Sequence, residues 1–119
     1  MSVQDTDALM EAVANQVKER PEDARWHGLS PLVYGGLAAL AEMARETRLY
    51  LHTDISADAG MVLVPLAPVL RNLERFWRAP ESDLDLVFAT HDAGDGLWLA
   101  WQDHWVELWL WGRFRGLQS

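Results

Sequence analysis

The chain carries four histidines, His27, His52, His91 and His104, together with many carboxylates, the side chains that bind metals or move protons. A zinc site written in local sequence needs imidazoles one helical turn apart, as in H-E-x-x-H, and no two of these histidines have that spacing. "HTD" at His52 and "HD" at His91 would need further ligands from elsewhere in the fold, so each histidine reads as a turn or surface residue. The absence of cysteine removes thiolate nucleophiles, disulfides and Cys-based zinc sites. "DAGDG", residues 92–96, has the glycines and aspartates of a calcium loop. It lacks the alternating ligands and the glutamate at the twelfth position. "YGG", residues 34–36, has neither phosphate-loop spacing, and the internal serines Ser30, Ser56 and Ser82 lack a nucleophile elbow. Asp83 and Asp85 share one strand face, whereas glycoside hydrolysis needs carboxylates across a cleft. These patterns assign no catalytic residue, no metal and no cofactor.

A different concentration of chemistry lies near the end of the chain, in "LWLAWQDHWVELWLWGRFRG", residues 97–116. Trp98, Trp101, Trp105, Trp109 and Trp111 all fall within it, out of 7 tryptophans in the whole sequence. Between Glu81 and Glu107 the chain has seven carboxylates (Glu81, Asp83, Asp85, Asp92, Asp95, Asp103 and Glu107) and no lysine or arginine. Aromatic strands can stack the bases of single-stranded nucleic acid, but only beside a basic groove, and this segment is acidic.

Alternation of apolar residues places these side chains. "DLDLVFAT" puts Leu84, Leu86 and Phe88 on one face and Asp83, Asp85 and Val87 on the other. "HDAGDG" reads as a turn, "LWLAWQ" as a second strand, and Asp103-His104 as a two-residue turn into "WVELWLWGRF". That turn fixes the register. Gln102 faces Trp105, Trp101 faces Val106, Leu99 faces Leu108, Trp98 faces Trp109 and Leu97 faces Leu110. One face then carries Leu97, Leu99, Trp101, Val106, Leu108, Leu110 and Phe114, a floor for helices. The second carries Trp98, Ala100, Gln102, Trp105, Glu107, Trp109, Trp111 and Arg113. Either another element covers that second face as further core, or it stays open as a contact surface, because tryptophan is enriched at binding hot spots.

Helical periodicity dominates the earlier chain. Leu9, Met10, Val13 and Val17 form a stripe over residues 6–20, with Asp5, Thr6 and Asp7 as capping candidates. "PEDARWHGL" reads as a loop with Trp26 plugged into the core. Ser30-Pro31 starts a second helix through Val33, Leu37, Leu40 and Ala44 towards residue 50. "RLYLHTDI" fits helix or strand equally, and "DISADAG" reads as a loop. A third helix covers residues 66–79 on the stripe Leu66, Val69, Leu70, Leu73, Phe76 and Trp77, ending at Pro80. The expected fold is α+β: three helices followed by a three-stranded antiparallel β-meander, one domain over residues 1–119, with the helices packed mainly on the Leu84/Leu99/Leu108 face.

Length and composition agree with this. At 119 residues a single hydrophobic core suffices without staples. The N-terminus lacks the pattern of a signal peptide, and "MVLVPLAPVL" is too short and too proline-broken to span a membrane, so the chain reads as cytoplasmic. A net charge of −8 argues against nucleic acid and favours a basic partner or simple solubility. Small acidic antitoxin, immunity and inhibitor proteins share this composition. The expectation is a non-catalytic module whose aromatic-acidic face, formed by Asp83, Asp85, Trp98, Asp103, Trp105, Glu107, Trp109 and Trp111, occludes a basic protein. Two alternatives remain open. One is a small-molecule site or small enzyme with a pocket lined by Trp98, Trp109, Trp111 and Tyr34, and the other is a homodimer closed through the tryptophan face.

Overall fold

The computed structural model describes residues 1–19, 25–29, 37–42, 44–53, 56–73, 85–102 and 105–117, with backbone alone at 18–19, 25–29, 57, 101–102, 105–107 and 115–117. Helix α1 (Val3–Glu19) is followed by strand β1 (Arg25–Leu29), helical residues 37–42 (α2) and β2 (Arg48–His52). Then come a single helical turn α3 (Ser56–Ala59), β3 (Val62–Pro65), α4 (Leu66–Arg71), β4 (Leu86–Ala89), β5 (Gly96–Gln102) and β6 (Trp105–Trp111). A 3-10 turn (Gly112–Leu117) closes the described chain. The six strands form one antiparallel sheet in the order β1-β6-β5-β4-β2-β3.

The fold is α+β, but the expected three-stranded sheet after three helices is corrected to six strands interleaved with the helices. β4-β5-β6 is the expected meander, and the hairpin register holds at every rung from Gly96↔Trp111 to Gln102↔Trp105. The turn residues Asp103 and His104 themselves lie outside the described residues, as does Leu84. The additional strands come from segments whose side chains gave no clear period. "RWHGL", read as a loop, pairs with β6 along the flank of the meander. "RLYLH" resolves as a strand between β3 and β4, where its alternation is used on both faces. "VLVP" pairs with β2, and its β-branched valines suit a pleated surface better than a helix. Helix α4 therefore begins at Leu66, with Pro65 as its first non-helical neighbour and Pro68 in its first turn, where no N–H is needed. It ends at Arg71 with Asn72 as its C-cap, short of the expected run to residue 79, and residues 74–79 lie outside the described residues.

Helix α1 starts earlier than expected because Ser2, not Asp5, Thr6 or Asp7, caps it. The Asp5 N–H donates to Ser2 Oγ at 3.0 Å and the Thr6 N–H to the Ser2 carbonyl at 2.9 Å. Thr6 is thereby released for a second task. It is 1% exposed, and its Oγ1 accepts the Met61 N–H at 2.9 Å, just before β3.

That contact falls on the outer edge of the sheet. The Leu66 N–H donates to the Thr47 carbonyl, so by antiparallel alternation Val64 and Val62 face β2 with their backbone groups, while Leu63 and Pro65 face outward. Outward-facing Met61 is engaged by Thr6, and proline has no N–H to offer.

Helices cover both faces. On one, Leu37, Leu40 and Ala41 of α2 and Leu66, Ala67 and Leu70 of α4 pack with Leu49, Leu86, Phe88, Leu97, Leu99, Leu108, Leu110 and Phe114. This is the predicted leucine floor. On the other, Leu9 and Val13 of α1 pack on Val87, Ala89, Ala93 and Trp111. The tryptophan face is therefore covered in part, and the element that covers it is the N-terminal helix.

Candidate functional site

Two cross-strand rows explain what α1 covers and what it leaves. The first runs Leu63, Tyr50, Ala89, Gly96, Trp111 across β3, β2, β4, β5 and β6. The second runs His52, Val87, Trp98, Trp109 and ends opposite Arg25 of β1. Residues on one row share a face, and their side chains are close enough to pack.

In the first row a glycine sits opposite Trp111. A Cβ on Gly96 would run into the Trp111 ring and the Phe88 carbonyl, so the indole occupies space that only glycine leaves free. Trp111 is 3% exposed, and its Nε1–H donates to the Ala93 carbonyl at 2.9 Å. That carbonyl is presented by an unusual turn. Thr90 Oγ1 donates to Asp92 Oδ1 at 2.7 Å, the Gly94 N–H donates to the same oxygen at 2.9 Å, and Ala93 adopts φ of 60°. These hydrogen bonds, backbone first, hold the Asp92 carboxyl below its ordinary pKa even though it is fully exposed. Asp95 Oδ1 accepts the Arg113 N–H at 2.8 Å and ties the turn to the end of β6.

The second row has no glycine, so its two indoles stand side by side. Trp98 and Trp109 meet edge to face, with centroids 6.2 Å apart and planes at 66°. Both are partly exposed. Trp98 borders the α1 cluster, and its Nε1–H donates 2.8 Å to Oδ2 of Asp85, which is exposed. On the same face, His52 is partly buried. Burial lowers its pKa, and the nearby Asp7 carboxylate partly offsets this.

Of the eight residues expected to meet a partner, the structure brings Asp85, Trp98 and Trp109 together at the surface. Trp111 is on the expected face but belongs to the core. Trp105 and Glu107 are placed on that face by register alone, opposite Gln102 and Ala100. Asp83 and Asp103 lie outside the described residues, as does Tyr34 of the pocket alternative. The described residues line a groove of about 380 Å³ in a different place, between α1 and the 90–95 turn. Sequence reasoning missed it because nothing in either segment announces that they meet. Among the described residues no group of three or more His, Cys, Asp or Glu side chains is placed to hold a metal ion. No helix of the described residues is long and apolar enough to cross a membrane.

No protein family, characterised protein or solved structure matches the chain. The functional reading therefore rests on this surface and its chemistry.

Proposed function

We propose that the chain is a non-catalytic binding module that occludes a basic surface of a partner protein, in the manner of an immunity protein or inhibitor. The observation that carries the reading is the partly exposed Trp98–Trp109 pair with the Asp85 carboxylate fixed beside it. A rigid aromatic pair supplies buried area with little loss of side-chain freedom, and carboxylates around it select a cationic partner and speed the encounter. The excess of 18 acidic over 10 basic residues extends the same field over the whole chain. The sequence pattern adds Asp83, Asp103, Trp105 and Glu107 to the proposed surface, while Trp111, in the neighbouring cross-strand row, packs in the core with α1.

The test compares wild-type chain with Trp109→Ala, both immobilised and exposed to the same cell extract at low and at physiological salt. The retained protein is expected to be basic, with an association rate that falls steeply as salt screens the charges. Trp109→Ala should speed its dissociation by about 30-fold, the size of a hot-spot loss of roughly 2 kcal/mol. An acidic partner, or equal retention by both chains, would overturn the proposal.

A further inference from the structure

The groove between α1 and the 90–95 turn has buried Leu9 and partly buried Ala12 at its floor, and exposed Ala8, Asp5, His91 and Asp92 line its sides. Leu9 and the small Ala12 make the floor apolar, and Asp5 and Asp92 are exposed. Asp92 is set rigidly. Its Oδ1 already accepts from Thr90 and Gly94, which leaves Oδ2 with no hydrogen bond among the described residues. Asp5 has no side-chain partner among the described residues. Asp7 and Glu11 lie exposed on the same helix and add negative charge nearby. The Met1 ammonium at the rim is engaged with the Met61 carbonyl at 3.3 Å.

An apolar slot with anionic edges matches a side chain that has an aliphatic stem and a cationic head. A volume of about 380 Å³ holds one such side chain and not a folded element. Two separate carboxylates favour arginine over lysine, because a planar guanidinium offers five donors in a fixed fork while an ammonium is a compact point charge. We infer that this groove receives an arginine side chain of the partner protein, its stem on Leu9, Ala8 and Ala12 and its guanidinium between Asp5 and Asp92. The inference rests on the proposed function for the source of that arginine. The groove itself is separate from the Trp98–Trp109 surface.

The groove is tested without the partner, by amide chemical-shift titration of the full chain with N-acetyl-arginine amide and, in parallel, with the capped citrulline analogue, which keeps the shape and lacks the charge. Arginine should shift the amides of Ala8, Leu9, Ala12, His91 and Asp92 with a dissociation constant on the order of 1 mM, and citrulline should not. The double variant Asp5→Asn, Asp92→Asn should weaken binding at least tenfold, with the Thr90 and Gly94 contacts available to the isosteric amide. Ala12→Leu, which fills the floor and leaves every charge in place, should abolish the shifts. Equal shifts with citrulline, shifts spread over all exposed carboxylates, or retention of binding in Ala12→Leu would each overturn the inference. If arginine fails to bind while Trp109→Ala still releases a basic partner, the groove is refuted and the aromatic surface stands. The reverse result refutes the surface alone.

Discussion

Trp111→Phe separates the structural tryptophan from the exposed pair. The substitution keeps an aromatic ring in the slot over Gly96 but removes the indole N–H and part of the ring. The smaller ring forfeits roughly 40 Å² of buried apolar surface, about 1 kcal/mol at about 25 cal/mol per Å². The Ala93 carbonyl, which accepts from Trp111 at 2.9 Å, also loses its indole partner, at a further cost of about 1 kcal/mol. The sum is about 2 kcal/mol. With a urea slope of about 1.5 kcal/mol per molar for a domain of this size, the denaturation midpoint should fall by about 1.3 M. Trp109→Phe, made at a partly exposed position, should move the midpoint by less than a third of that. Binding should show the opposite ranking, with Trp111→Phe close to wild type wherever the chain is folded. A midpoint shift as large for Trp109→Phe as for Trp111→Phe would refute the division between a buried Trp111 and a partly exposed Trp109.

Two further outcomes follow from the α1 layer. Burial depresses the His52 pKa, so the unfolded chain takes up this proton near pH 6.5 and the folded chain only at lower pH. Stability from this site is therefore fully present above pH 6.5 and declines below it. Urea midpoints at pH 7.5 and 5.5 should differ less in His52→Gln than in wild type, and an unchanged difference would remove His52 from the account. Thr6→Val keeps the shape of the side chain but leaves the buried Met61 N–H without its acceptor, a loss of about 1–3 kcal/mol. Hydrogen exchange at the Met61 amide should accelerate well before that of Leu99, and exchange that rises equally at both would show that α1 does not open by itself.

The meander was legible in the sequence because period-two alternation and a two-residue connection together leave one register, and the structure has it from Gly96 to Trp111. The leucine floor followed from the same parity, Phe114 included. β1 and β3 were not legible. They are short strands held by the backbone groups of a neighbour, and "RWHGL" and "VLVP" carry no alternation long enough to betray them. The Leu9–Val13 stripe told which side of α1 is buried, not what it is buried against. That ambiguity is why the fate of the tryptophan face could not be read. One available signal lay in the register itself: extending it by a rung puts Gly96 opposite Trp111, and a glycine facing an indole marks a slot. No comparable signal joins Asp5 and Ala12 to His91 and Asp92, which are brought together only by where α1 lands.

The guarded edge at β3 also bears on how this chain behaves in a crowd. Bare strands recruit strands from other molecules, and a sheet that grows in this way becomes a fibril. Here Val62 and Leu63 are 61% and 47% exposed, so the sticky side chains such growth favours are present. What is missing is a continuous ladder. Thr6 engages the backbone on one side of Leu63 and Pro65 withholds a donor on the other, leaving a single outward rung between them. An incoming strand would find one rung and then an obstruction in either direction. The start of α1 thus serves as a guard against polymerisation, and any loosening of Thr6 from Met61 would expose an aggregation-prone edge before the core itself had opened.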